Sequence, residues 1–106
     1  MSRIMQLLEL RKKWRHLENK YKRADMQRTI LINKIEILYN CVYNNPSSVY
    51  LDNEIATFQA LQKKYEEYMT KNRLERNILT DEINNLVRNE QEGRSVLILN
   101  LNYYYI

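Results

Sequence analysis

Residues 31–58 read LINKIEILYNCVYNNPSSVYLDNEIATF, and the single Pro46 divides this stretch into two apolar patterns that mirror each other. Before it, Leu31, Ile35, Leu38 and Val42 alternate spacings of four and three. After it, Leu51, Ile55 and Phe58 do the same. Working outward, the first stripe extends back through Arg28, Ala24, Tyr21, Leu17, Trp14 and Leu10 to Leu7. The second runs on through Gln62, Tyr65, Met69, Asn72, Arg76, Leu79, Ile83 and Leu86 to Glu90. That alternation is the seam of a left-handed coiled coil. Folding the chain back at Pro46 and Ser47 sets Leu38 against Ile55, Leu10 against Ile83 and Leu7 against Leu86. The expected fold is all-α: a long antiparallel two-helix coiled-coil hairpin with a short C-terminal tail.

The expected domain is a helical hairpin over 1–94, with a first helix over about 3–43, a turn over 44–51 and a return helix over about 52–93. The first helix would span roughly 60 Å. Asn45 precedes a proline and is pushed out of helical geometry. Asn45-Pro46 also suits a cap and first turn, so Pro46 to Tyr50 could form a short turn of helix. Asp52 is a second cap candidate for the return helix, and Gly93 is the natural C-terminal stop. With one Gly and one Pro in 106 residues, turn-rich β and α/β folds are disfavoured.

Residues 95–106, SVLILNLNYYYI, form an apolar Tyr-rich tail without charge. It could pack on the hairpin base, add to a partner, or be a drifted or frameshifted gene end. On the seam, Arg28 falls opposite Tyr65 with Glu66 beside it, and Leu17 meets Arg76. Such polar layers fix register at some cost in stability, or give a weak section that a partner can enter.

Catalytic chemistry finds little footing, and no enzyme activity, metal or cofactor is expected. His16 is the only histidine and lies off the seam, where a solvated position is expected; with the single Cys41 it cannot complete a tetrahedral zinc site. A phosphate-cradling loop needs several glycines, and only Gly93 exists. No stretch reaches the roughly 18 uncharged residues of a membrane span. The amphipathic N-terminus with Glu9 does not read as a signal peptide, and one cysteine excludes an intrachain disulfide, so a cytoplasmic location is expected.

Binding is the remaining role, and two surfaces are candidates. Net charge is +4, but residues 3–28 hold nine Lys or Arg against three acids. The basic run includes Arg11, Lys12, Lys13, Arg15, Lys20, Lys22 and Arg23. It is either a solvated face whose stems cover the seam or a docking surface for an acidic partner; nucleic acid is disfavoured for want of stacking platforms. The second surface lies near the tip, where Ile30, Ile32, Ile37, Tyr39 and Tyr43 all fall off the seam and the return arm adds Leu61 and Tyr68. A helix apolar on nearly every side is covered by something.

The opening Ile4-x-x-Leu7-Leu8-x-Leu10-Arg11, a basic heptad helix and an antiparallel return arm together resemble the FliJ/YscO/EscO family of type III secretion central-stalk proteins. The resemblance covers roughly residues 3–93, and the virulence-system members are most similar in size. The chain departs from the pattern in its short return arm and uncharged ending. The resemblance implies a rod inserted in a hexameric secretion ATPase at the cytoplasmic face of the apparatus. Such a rod couples ATP hydrolysis to the export gate and engages secretion chaperones. It also implies that Arg11, Lys12, Arg15, Lys20, Lys22 and Arg23 make the electrostatic contacts to the ATPase. The alternative is a small cytoplasmic secretion chaperone or dimeric scaffold, holding a helical client on Ile30, Ile32, Ile37, Tyr39 and Tyr43.

Overall fold

A computed structural model describes residues 2–92. The Gly93 stop, the 95–106 tail and the side chain of the seam residue Glu90 lie outside the described residues. The fold is all-α, with two long helices, α1 (Arg3–Asn44) and α2 (Val49–Glu92), joined by a short reversal. Neither helix contains Gly or Pro, so nothing interrupts the backbone ladder across 42 and 44 residues.

Serine caps both helices. At the start of α1 the Ser2 hydroxyl accepts from the Met5 amide at 3.1 Å. At the start of α2 the Ser48 hydroxyl accepts from the Leu51 amide at 3.2 Å. Each satisfies one of the four amides that a helix start leaves without an intrahelical partner. This corrects the expectation for the reversal. Pro46 does not open a helical turn but occupies a tight turn closed by the Ser48 amide donating to the Asn45 carbonyl at 3.2 Å. Proline's fixed φ suits the second position of such a turn. Asp52 therefore lies inside α2, where its charge favours the positive helix start without capping it.

Contacts divide the chain into two compact units, one of residues 2–20 with 72–92 and one of residues 21–71. In the first, Leu7 and Ile83 are fully buried and Val87 nearly so, with Leu10, Trp14 and Leu86 packed against them. This cluster holds both pairs expected from the register, Leu10 with Ile83 and Leu7 with Leu86. Val87 is an addition, one step off the seam. Each fully buried Leu or Ile contributes about 1.5–3 kcal/mol.

A polar layer follows in the same unit. Asn72 is 2% exposed; its Nδ2 donates to the Leu17 carbonyl across the pair at 2.8 Å, and its Oδ1 accepts from Arg76 Nε at 2.8 Å. The Arg76 guanidinium lies 5.7 Å over the Trp14 ring, whose Nε1 donates to Thr80 Oγ1 at 3.1 Å. A buried amide with both ends engaged is tolerated in one register only, because a slip would strand it.

In the second unit, Ala24, Leu31 and Ile35 of α1 and Ile55 and Met69 of α2 are buried. The Lys34 ammonium sits 5.8 Å over the Phe58 ring, on one flank of the pair. The other flank carries a bond from Gln59 Nε2 to the Tyr39 hydroxyl at 2.7 Å. Arg28 bonds Asp25 at 2.9 Å and reaches Glu66 at 3.7 Å. The hydrogen bond to Asp25 holds the Arg28 guanidinium above the usual arginine range, partly opposed by desolvation. From Leu7 to Leu86, every residue of the two seam stripes is buried or half-buried.

Because Ser48 rather than Asp52 caps α2, Ser48→Ala should cost about 1 kcal/mol of stability. Asp52→Ala should cost only a few tenths, since it loses a dipole interaction alone. Thermal unfolding of both variants checks this, and a larger loss for Asp52→Ala would refute the assignment.

Candidate interaction surfaces

The basic residues of α1 have different environments. In the first unit Lys12, Arg15 and Lys20 are exposed, whereas Arg11 is 7% exposed. Arg11 therefore departs from the expected solvated contact face. The sequence carried a partial signal for this: Arg11, Glu18, Asp25 and Ile32 recur every seven residues, one step beyond the seam, and none is exposed, although Ile4 and Tyr39 at the two ends of the same row are. Arginine's long stem lies readily along such a flank.

Lys12 and Arg15, three residues apart, are exposed on one face of α1. Lys13 instead lines an open groove with Leu10, Glu82 and Leu86, and a second with Leu17, Glu75 and Leu79. Lys13 thus lies at the edge of the helix pair rather than on the outer face of α1. His16 lines the second groove and is exposed. In the second unit Lys22 and Arg23 are exposed; as neighbours in sequence they point to different sides of the helix.

The apolar candidates lie together in the second unit. Ile30, Ile37, Tyr39 and Tyr43 are exposed, Tyr43 at 87%, and Ile32 is half-buried. The sequence reading had also drawn Leu61 and Tyr68 into this surface, and both are exposed. It missed Met26, Val49 and Tyr50, which are exposed as well. Val49 and Tyr50 escaped notice because they lie in the first turn of a helix expected to start later. Leu74 and Ile78 are exposed in the first unit.

Cys41 is half-buried with a free thiol. Among the described residues no group of three or more His, Cys, Asp or Glu is placed to hold a metal ion, and no helix is long and apolar enough to cross a membrane. No protein family, curated protein or solved structure matches the chain.

If Arg11 belongs to the interior, Arg11→Ala should lower stability by about 1–3 kcal/mol. Lys12→Ala and Arg15→Ala should stay within about 0.5 kcal/mol of the parent. Denaturant unfolding distinguishes these outcomes, and equal small effects at all three positions would return Arg11 to the surface.

Proposed function

We propose that the chain is a non-enzymatic helical stalk. It docks in a hexameric type III secretion ATPase and couples ATP hydrolysis to protein export at the cytoplasmic face of the apparatus. The observation that carries this reading is the set of exposed cations on α1: Lys12, Arg15 and Lys20 in one unit, Lys22 and Arg23 in the other. Their exposure gives α1 outward-facing positive charge, which suits an acidic partner. Their contribution would be orientation and association rate as much as affinity. Continuous helices and a polar seam layer that resists slippage suit a part that transmits force. The resemblance of residues 3–93 to the FliJ/YscO/EscO family supplies the identity of the partner.

A second reading, a small secretion chaperone or dimeric scaffold, is favoured by the exposed apolar residues Ile30, Ile37, Tyr39 and Tyr43. There a client would wrap both flanks of the unit, Ile30 and Ile37 lying on the flank of Lys34 and Tyr39 and Tyr43 on the flank of the Tyr39–Gln59 bond.

Reversing Lys12, Arg15 and Lys20 to Glu should weaken ATPase binding and stimulation by roughly tenfold or more at low salt. Ile37→Ser with Tyr43→Ser should leave stimulation intact. Unchanged stimulation by the triple variant would contradict the stalk, and loss of client solubilisation in the apolar variant would favour the chaperone.

A further inference from the structure

The second unit, residues 21–71, has two sides that differ in charge and carry apolar groups at matching intervals. One side is marked by Lys34 over Phe58, the other by the Tyr39–Gln59 bond and the Arg28–Glu66 ion pair. On the Lys34 side, α1 presents Ile30, Lys34 and Ile37, and α2 presents Leu61, Lys64 and Tyr68. All six are exposed. Each helix thus offers two apolar side chains with a lysine between them. The other charges on this side are exposed Arg23 and Lys71 and half-buried Glu54, so it is cationic.

On the Tyr39 side, α1 presents Ile32, Glu36 and Tyr39, at the same four-then-three spacing as Ile30, Lys34 and Ile37. Tyr43 extends this row, and Val49 and Asp52 of α2 lie beside it in sequence position around the turn. Glu36 and Asp52 are exposed, as are Tyr39, Tyr43 and Val49. Asp25 and Glu66 add negative charge, offset by Lys22, Lys63 and the Arg28 they pair with, which leaves this side weakly anionic.

We infer that the Lys34 side of one chain docks on the Tyr39 side of a second copy. Ile30, Ile37, Leu61 and Tyr68 would then meet Ile32, Tyr39, Tyr43 and Val49, while Lys34 and Lys64 reach Glu36 and Asp52. A like-with-like contact between two cationic sides would set lysine against lysine, whereas the unlike contact pairs opposite charges. Several large apolar side chains left exposed on a small unit mark an interaction surface, and the charges select the partner side. Because the two surfaces differ, the contact is head-to-tail and continues past two chains unless it closes into a ring. This inference is independent of the proposed stalk role, which uses neither the apolar anchors nor Lys34 and Lys64.

Sedimentation equilibrium of the full chain tests it with two variants. Ile37→Ser with Leu61→Ser removes anchors from the Lys34 side, and Tyr39→Ser with Tyr43→Ser removes them from the Tyr39 side. All four residues are exposed, so helicity by circular dichroism should be unchanged. The parent should gain mass with concentration beyond two chains, and each variant alone should be monomeric. An equimolar mixture should form a one-to-one pair and stop, because each variant keeps the side the other lacks. As a control that leaves the apolar groups intact, Lys34→Ala with Lys64→Ala should weaken association roughly tenfold. A parent that stays monomeric or stops at a symmetric dimer would overturn the inference. So would a variant that assembles like the parent, a mixture that does not pair, or a charge variant of unchanged affinity.

Discussion

Among the described residues each helix has only the other against which to bury its seam, and that constraint governs the structure. A two-helix layer has little interior, so stability depends on every layer of the seam meeting its counterpart. The tightest example is the cluster of Leu7, Ile83 and Val87, where the side chains approach complete burial. Lengthwise slippage by a few residues would leave these groups facing polar neighbours. Asn72 adds a penalty of its own, because only the native register brings its amide to the Leu17 carbonyl. The polar layer gives up some apolar burial and makes one pairing distinct from its competitors.

Most of the hairpin was legible because its pattern repeats. A seven-residue period sampled over many turns averages out exceptions such as Arg28, Gln62 and Asn72, and the stripes from Leu7 to Leu86 are buried or half-buried as expected. The reversal was harder to read because local chemistry offered several equivalent solutions. Asn45, Ser48 and Asp52 are all good capping residues, and Pro46 fits either a first helical turn or the second position of a tight turn. Which one operates depends on hydrogen-bond geometry that composition does not encode.

The candidate surfaces were read less well for a related reason. Side-chain charge says which residues prefer water, but a flank position can bury a long stem whatever its charge, as it does at Arg11 and not at Lys13. Arg11 and Lys12 are neighbours in one basic run, yet only Lys12 is exposed. The seven-residue recurrence of Arg11, Glu18, Asp25 and Ile32 was available as a clue, and reading charge alone obscured it. The apolar surface was more legible: among the described residues, those off the seam of the two-helix pair have no third element to cover them. α1 therefore serves two roles at once, packing inward along its seam while presenting cations or apolar groups outward.

The direct measurement is the distance between spin labels at Lys13 and Glu82, exposed residues on opposite helices that line one groove. With paired helices 8–10 Å apart, labels there should lie within roughly 10–25 Å of each other. Dilution with unlabelled chain should leave that distance and its amplitude unchanged. A separation of roughly twice that range or more, or a signal that fades on dilution, would contradict the antiparallel pairing within one chain.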